Sequence, residues 1–208
     1  MKAQTKASQE ALSQEGIVDL LKEGNNRFVN NQSLNRYLQQ QVEETSKGQF
    51  PFAAVLSCID SRVPVETVFD QGIGDLFSIR IAGNFVNDDI LGSMEFACKL
   101  AGSKVILVLG HTSCGAVKGA CDHAELGLLT GLLDKIQPAV NAVTVPADEA
   151  LRTSKNIDFV DEVAAKNVAL TIEDIRSRSK VLAEMENNKE IMLVGAMYNV
   201  ASGQVTFY

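Results

Sequence analysis

Short, unbroken apolar runs alternate with longer amphipathic stretches along this chain. Residues 52–57 (Phe-Ala-Ala-Val-Leu-Ser) and 105–109 (Val-Ile-Leu-Val-Leu) carry no polar alternation and are too short for buried helices. Such runs suit parallel strands covered on both faces. A third strand is predicted at 76–81, after the turn residues Gly72-Ile73-Gly74-Asp75, and two more at 191–194 and 204–207. Between them the spacing turns helical. Ile17, Leu20, Leu21 and Phe28 mark a helix over 16–30, residues 88–101 form another that Gly102 ends, and 115–121 a third. Residues 126–143 read as a helix kinked at Pro138, and 155–187 as one long charged helix. Residues 1–15 read as a loose polar tail, and 31–49 as a polar arm without a strand. No internal repeat is visible.

Strands separated by helices call for right-handed crossovers and a largely parallel sheet. The expected fold is α/β: a single domain over residues 1–208 with about four parallel strands, a C-terminal antiparallel strand, flanking helices and an N-terminal helical arm at 16–49. In such sheets ligands bind at the carboxyl ends of the strands. Residues 58 and 111 follow directly on two of those ends.

Composition narrows the partners. The 208 residues carry a formal net charge of −7, and Lys and Arg never run beyond two in a row. Attraction to nucleic acid or to an anionic membrane is therefore not expected, which leaves small molecules or further copies of the chain. The amino terminus has no apolar stretch of signal-peptide length and no segment approaches a membrane span, so a cytoplasmic location is expected. The four cysteines fit this setting better as metal ligands or core residues than as half-cystines.

Two clusters hold the chemistry. Cys58-Ile59-Asp60-Ser61-Arg62 and His111-Thr112-Ser113-Cys114 together offer two thiolates, an imidazole and a carboxylate–guanidinium pair. Zinc favours tetrahedral Cys and His ligation, and a catalytic site keeps one position open. A sealed structural site would need a fourth ligand, for which only Cys121 and His123 are at hand. Asp60 and Arg62 alternate with Cys58, so an extended segment points all three to one side. Asp60 then either fills the fourth zinc position or is drawn off by Arg62 and hydrogen-bonds a metal-bound group. A plain surface ion pair is the alternative. Two thiolates acidify bound water less than three neutral imidazoles, so a higher pH optimum is expected. Gly115 either simply starts a helix or also aims its N–H at a substrate oxygen. Cys98 and Cys121 read as core, His123 as a solvated side chain, and Gly72-Ile73-Gly74 as a turn, since it precedes a strand and not a helix.

Cys58-x-Asp60-Ser61-Arg62 with His111-x-x-Cys114-Gly115 resembles the zinc signature of the β-class carbonic anhydrases, and the likeness runs from about residue 16 to the end. The resemblance implies one zinc ion per chain on Cys58, His111 and Cys114, and reversible hydration of carbon dioxide to bicarbonate and a proton with zinc hydroxide as nucleophile. Asp60 and Arg62 would gate and orient it. Gln49, Phe77, Ala82, Phe96 and Gly115 would line the substrate pocket. It also implies a homodimer or homotetramer, with amino-terminal helices over the partner and each site at a subunit boundary, although residues 16–30 could equally pack on their own chain. Some members hold an inhibitory bicarbonate beside a tryptophan three residues before the first cysteine. Here Val55 stands there and the chain has no tryptophan, so an unregulated form with Asp60 off the metal is expected even though Tyr198 matches another part of that pocket. Two other readings stay in view: the same scaffold acting on carbon disulfide, and a non-catalytic, zinc-stabilised assembly protein.

Overall fold

The computed structural model describes residues 2–208. In chain order its elements are α1 (Lys6–Ala11), α2 (Gln14–Val29), α3 (Leu38–Thr45), β1 (Ala53–Ser57), α4 (Val65–Val68), β2 (Leu76–Arg80), α5 (Asp88–Glu95), β3 (Val105–His111), α6 (Gly115–Cys121), α7 (Gly127–Leu133), α8 (Gln137–Ala142), α9 (Ile157–Arg178), α10 (Lys180–Asn187), β4 (Met192–Tyr198) and β5 (Val205–Phe207). The sheet order is β2-β1-β3-β4-β5, with four parallel strands and β5 antiparallel to β4. This is the expected α/β architecture.

The apolar runs read as strands because both of their faces are covered. Ala53, Val55, Val105, Leu107 and Leu109 face one layer with Ile17 and Leu21 of α2. Ala54, Leu56, Ile106 and Val108 face the other with Ile90, Leu91 and Met94 of α5, Val168 and Ile175 of α9, and Leu182 and Met185 of α10. Alternate residues serve opposite layers, so every position must be apolar. Each large side chain so buried contributes roughly 2 kcal/mol.

Four expectations are corrected. The stretch 1–15, expected as a loose tail, is ordered over its described residues: Lys6–Ala11 form α1 and α2 begins at Gln14. Polar contacts hold α1: the Thr5 hydroxyl caps it, the buried Gln9 amide donates to the carbonyls of Pro51 (2.7 Å) and Ala101 (2.9 Å), and Lys104 Nζ donates to those of Glu10 and Leu12. The stretch 155–187 is two helices, because Ser179 is extended (φ −104°, ψ 103°), ending α9 and capping α10 through its hydroxyl. The stretch 126–143 is likewise two, with Pro138 in the first turn of α8, where its missing N–H costs nothing. Residues 96–101, expected as α-helix, widen into a π-helical turn over Phe96–Leu100, with Ala101 N–H bonding the Phe96 carbonyl.

Helix α2 packs on its own sheet, and the arm 31–49 contains α3, whose Leu38 and Val42 stay exposed together with Tyr37 just before it. The approach of α2 is set at Gly24, where a Cβ would lie 1.8 Å from the Phe69 carbonyl oxygen. Asn25 beside it bonds the backbone at Val68, Gly203 and Val205. Gly24→Ala must push α2 off backbone atoms that cannot yield, so a loss of about 3 kcal/mol is expected. Urea unfolding measures it, and an unchanged midpoint would contradict the packing.

Candidate metal centre

Topology removes the sequence distance between the two clusters. β1 and β3 are parallel neighbours with Ser57 opposite Leu109, so Cys58, just past β1, and His111, the last residue of β3, emerge at the same end. The chain then turns over Thr112 and Ser113, the latter left-handed at φ 53°, and delivers Cys114 as the residue preceding α6. The ligand atoms of Cys58, His111 and Cys114 lie within 4.8 Å of one another, all buried, and the two sulfurs are 3.9 Å apart.

The donor chemistry fits zinc. His111 Nδ1 lies 3.0 Å from the Thr112 carbonyl, which can only accept, so Nδ1 donates and a neutral ring carries its lone pair on Nε2. Among the described residues that buried Nε2 has no hydrogen-bond partner, an arrangement that costs free energy unless a cation takes the lone pair. The thiols share their proton: the hydrogen bond from Cys114 pulls the Cys58 thiol down, and the same bond, with burial, pushes Cys114 up. The N–H of Gly83 reaches Cys58 Sγ at 3.4 Å, and the backbone N–H groups of Ala116 and Val117 favour the Cys114 thiolate. Two sulfurs and one neutral imidazole are a tetrahedral zinc set short of one ligand. Among the described residues no fourth ligand joins this group. Cys121 and His123 stand apart beside a separate surface cavity that Arg152 also lines.

Asp60 stands next to the three, Oδ2 3.9 Å from His111 Nε2. Both its oxygens are engaged by Arg62: Nε and the backbone N–H donate to Oδ1 at 2.9 Å, and Nη2 to Oδ2 at 2.7 Å. That pairing holds the carboxyl well below the usual carboxylate range and raises the guanidinium in turn. Arg80, at the end of β2, clamps the backbone beneath, donating to the Cys58 carbonyl at 3.0 Å and the Asp60 carbonyl at 2.6 Å.

The pocket residues divide. Ala82 precedes Gly83 in the loop that touches Cys58, and Gly115 opens α6 beside Cys114 with open space at its Cα. Phe77 and Phe96 meet edge to face, 6.1 Å between centroids, along the edge strand β2. Gln49 lies exposed before β1, at the end of that strand opposite Cys58. Val55 is buried among the residues facing α2, and Tyr198 pairs in register with His111. Burial pushes the Cys98 thiol up to about 12 and that of Cys121 up to about 11, as suits core residues.

Sequence reading missed the supports on α9. Asp161 Oδ1 accepts the Ser113 N–H at 2.7 Å, Asn167 Nδ2 donates to the Gly83 carbonyl at 2.8 Å, and Thr171 Oγ1 to that of Asn84 at 3.4 Å. Asn167 and Thr171 are buried polar residues on an otherwise apolar helix face, and that was the available signal.

The fold and the Cys-His-Cys set at the strand ends define an α/β protein with an unsaturated zinc-type donor set. The sequence model of the family described as carbonic anhydrase matches residues 53–205. Over 193 residues the chain is 35% identical to a carbonic anhydrase of Mycolicibacterium smegmatis, covering 89% of this chain and 88% of that protein. It is 33% identical to carbonic anhydrase 2 of Mycobacterium tuberculosis over 192 residues, covering 88% and 87%. The solved β-carbonic anhydrase of Aspergillus fumigatus superposes with a TM-score of 0.73 at 23% identity, over 93% of this chain and 89% of that one. One of two tetrameric β-carbonic anhydrases from Sordaria macrospora gives 0.70 at 20% identity, over 89% and 93%. The chain belongs to the β-carbonic anhydrase family, as the residue pattern implied.

Cys58→Ser removes one strong donor. Metal analysis of the purified protein is expected to find one zinc per chain in the parent and little in the variant, with circular dichroism unchanged. Equal zinc in both would refute the ligand assignment.

Proposed function

We propose that this protein catalyses the reversible hydration of carbon dioxide to bicarbonate and a proton, with zinc held by Cys58, His111 and Cys114. One observation carries the reading: an unpartnered, buried His111 Nε2 grouped with two thiols, beside an ionised Asp60 whose oxygens Arg62 holds. Zinc bound there would supply a Lewis acid able to make water nucleophilic, at a higher pH than a site of three neutral imidazoles. The remaining work falls to side chains. Cys58 and Cys114 as thiolates offset the ion's charge. His111 keeps its Nδ1 proton on Thr112. Asp60 accepts a hydrogen bond from the reacting water and orients it. Arg62 keeps Asp60 from becoming the fourth ligand, since carboxylate and water compete for one position.

Ala82 and Gly115 border the space beside the ligands. Gln49, at the far end of its own β1, can serve a substrate only from a second copy, in keeping with a homodimer or homotetramer whose sites lie at subunit boundaries. The apolar surface of α3 and the bare edge of β2, with Phe77 and Phe96, are in keeping with such contacts. With Val55 in place of a tryptophan, we read the protein as lacking the inhibitory bicarbonate pocket. Among the described residues no helix is long and apolar enough to cross a membrane; on the sequence reading, we propose a cytoplasmic location.

A carbon disulfide hydrolase of Acidithiobacillus thiooxidans is 28% identical over 124 residues, covering 55% of this chain. Stopped-flow assays on carbon dioxide and carbon disulfide therefore form the primary test, and hydration of carbon dioxide is expected to dominate. Turnover of the disulfide alone would overturn the substrate, and inactivity toward both would favour the assembly protein. Asp60→Asn keeps the shape but accepts more weakly and no longer pairs as an ion, so kcat/KM should fall by about 100-fold or more with zinc retained. Undiminished turnover in that variant would remove Asp60 from the mechanism.

A further inference from the structure

Of the polar side chains on the inner face of α9, Asn167 is the one whose contact continues to a metal ligand. It is only 3% exposed and shares its helix face with Val160, Val163, Ala164 and Val168. An amide buried in such company is costly unless bonded. Its Nδ2 donates to the Gly83 carbonyl at 2.8 Å, and the Gly83 N–H in turn donates to Cys58 Sγ at 3.4 Å. Gly83 is left-handed at φ +78°, and a Cβ there would sit 2.4 Å from Ile136 Cδ1, so this peptide holds its place only as glycine. The N–H of Gly83 reaches the sulfur of Cys58, while the thiol of Cys114 lies beside the backbone at Ala116 and Val117, which lowers it. The chain Asn167–Gly83–Cys58 thus addresses one sulfur of the two.

We propose that Asn167 is a positioning residue which, through Gly83, sets the hydrogen bonding of the Cys58 sulfur and so its strength and placement as a zinc donor. The proposal rests on the zinc reading above. An N–H···S bond draws charge from a thiolate and fixes where its lone pairs point. Removing the support frees the Gly83 loop, weakens that bond and leaves the sulfur a richer but less well aimed donor.

Asn167→Leu, close in volume and without a donor, tests this in the cobalt-substituted protein. The thiolate-to-cobalt charge-transfer band is expected to move to longer wavelength, and zinc affinity in competition with a chelator to weaken by about 10- to 100-fold. A lowered Tm with band position and affinity both unchanged would reduce Asn167 to a packing role and overturn the proposal. Cadmium-loaded wild-type protein gives a second readout that needs no variant. Scalar coupling between the Gly83 amide proton and an NMR-active cadmium nucleus is expected, and its absence would also overturn the proposal. Failure of the zinc reading has a different signature: wild-type protein with no thiolate-to-cobalt band at all.

Discussion

Two thiols 3.9 Å apart and an imidazole nitrogen without a partner are buried in one small volume, and the rest of the fold accommodates that constraint. Ionising both sulfurs there without a cation is costly, since burial and mutual repulsion both oppose the second negative charge. A divalent ion relieves both penalties at once and takes up the lone pair of His111. The burial that makes the site unfavourable when bare favours a cation there, and the sulfur and imidazole donors suit a metal such as zinc. Structure in its vicinity accordingly supplies N–H donors to the sulfurs and keeps carboxylates at arm's length.

Asp60 illustrates the second half of that arrangement. Two residues from a thiolate, it would be a natural fourth ligand, yet Arg62 holds it from the side and Arg80 holds its backbone from below. An exposed ion pair of this kind would stabilise the protein little. What the pair fixes is direction: Arg62 holds both oxygens of the carboxylate beside the Cys-His-Cys group, and the proposed function gives that direction its meaning.

The sheet and the grouping of Cys58, His111 and Cys114 were legible in the sequence for simple reasons. Strands buried on both faces leave uninterrupted apolar runs, and Cys58, His111 and Cys114 stand at their ends with spacing that few other functions require. Features built from polar contacts were not legible. α1 has no apolar stripe, and its anchors are Gln9 and Lys104 reaching backbone far along the chain. The break at Ser179 looks like any serine in a helical stretch until its hydroxyl is seen capping α10. Asp161 and Asn167 act on loops 48 and 84 residues away, separations at which no local pattern survives. Phe77, Phe96 and Gln49 entered through family likeness alone, and their positions on a single chain show why spacing could not have suggested them.

The contacts of α9 have a geometric consequence. Asp161, Asn167 and Thr171 span about 15 Å of one continuous helix, and between them they hold the loops at Ser113, Gly83 and Asn84. Loops located independently would add their positional errors, and the donor atoms they carry would spread accordingly. Here each is measured from the same rigid ruler. The distances among the donors inherit the tolerance of a helix, although the chain that joins Cys58 to Cys114 is mostly strand, turn and loop.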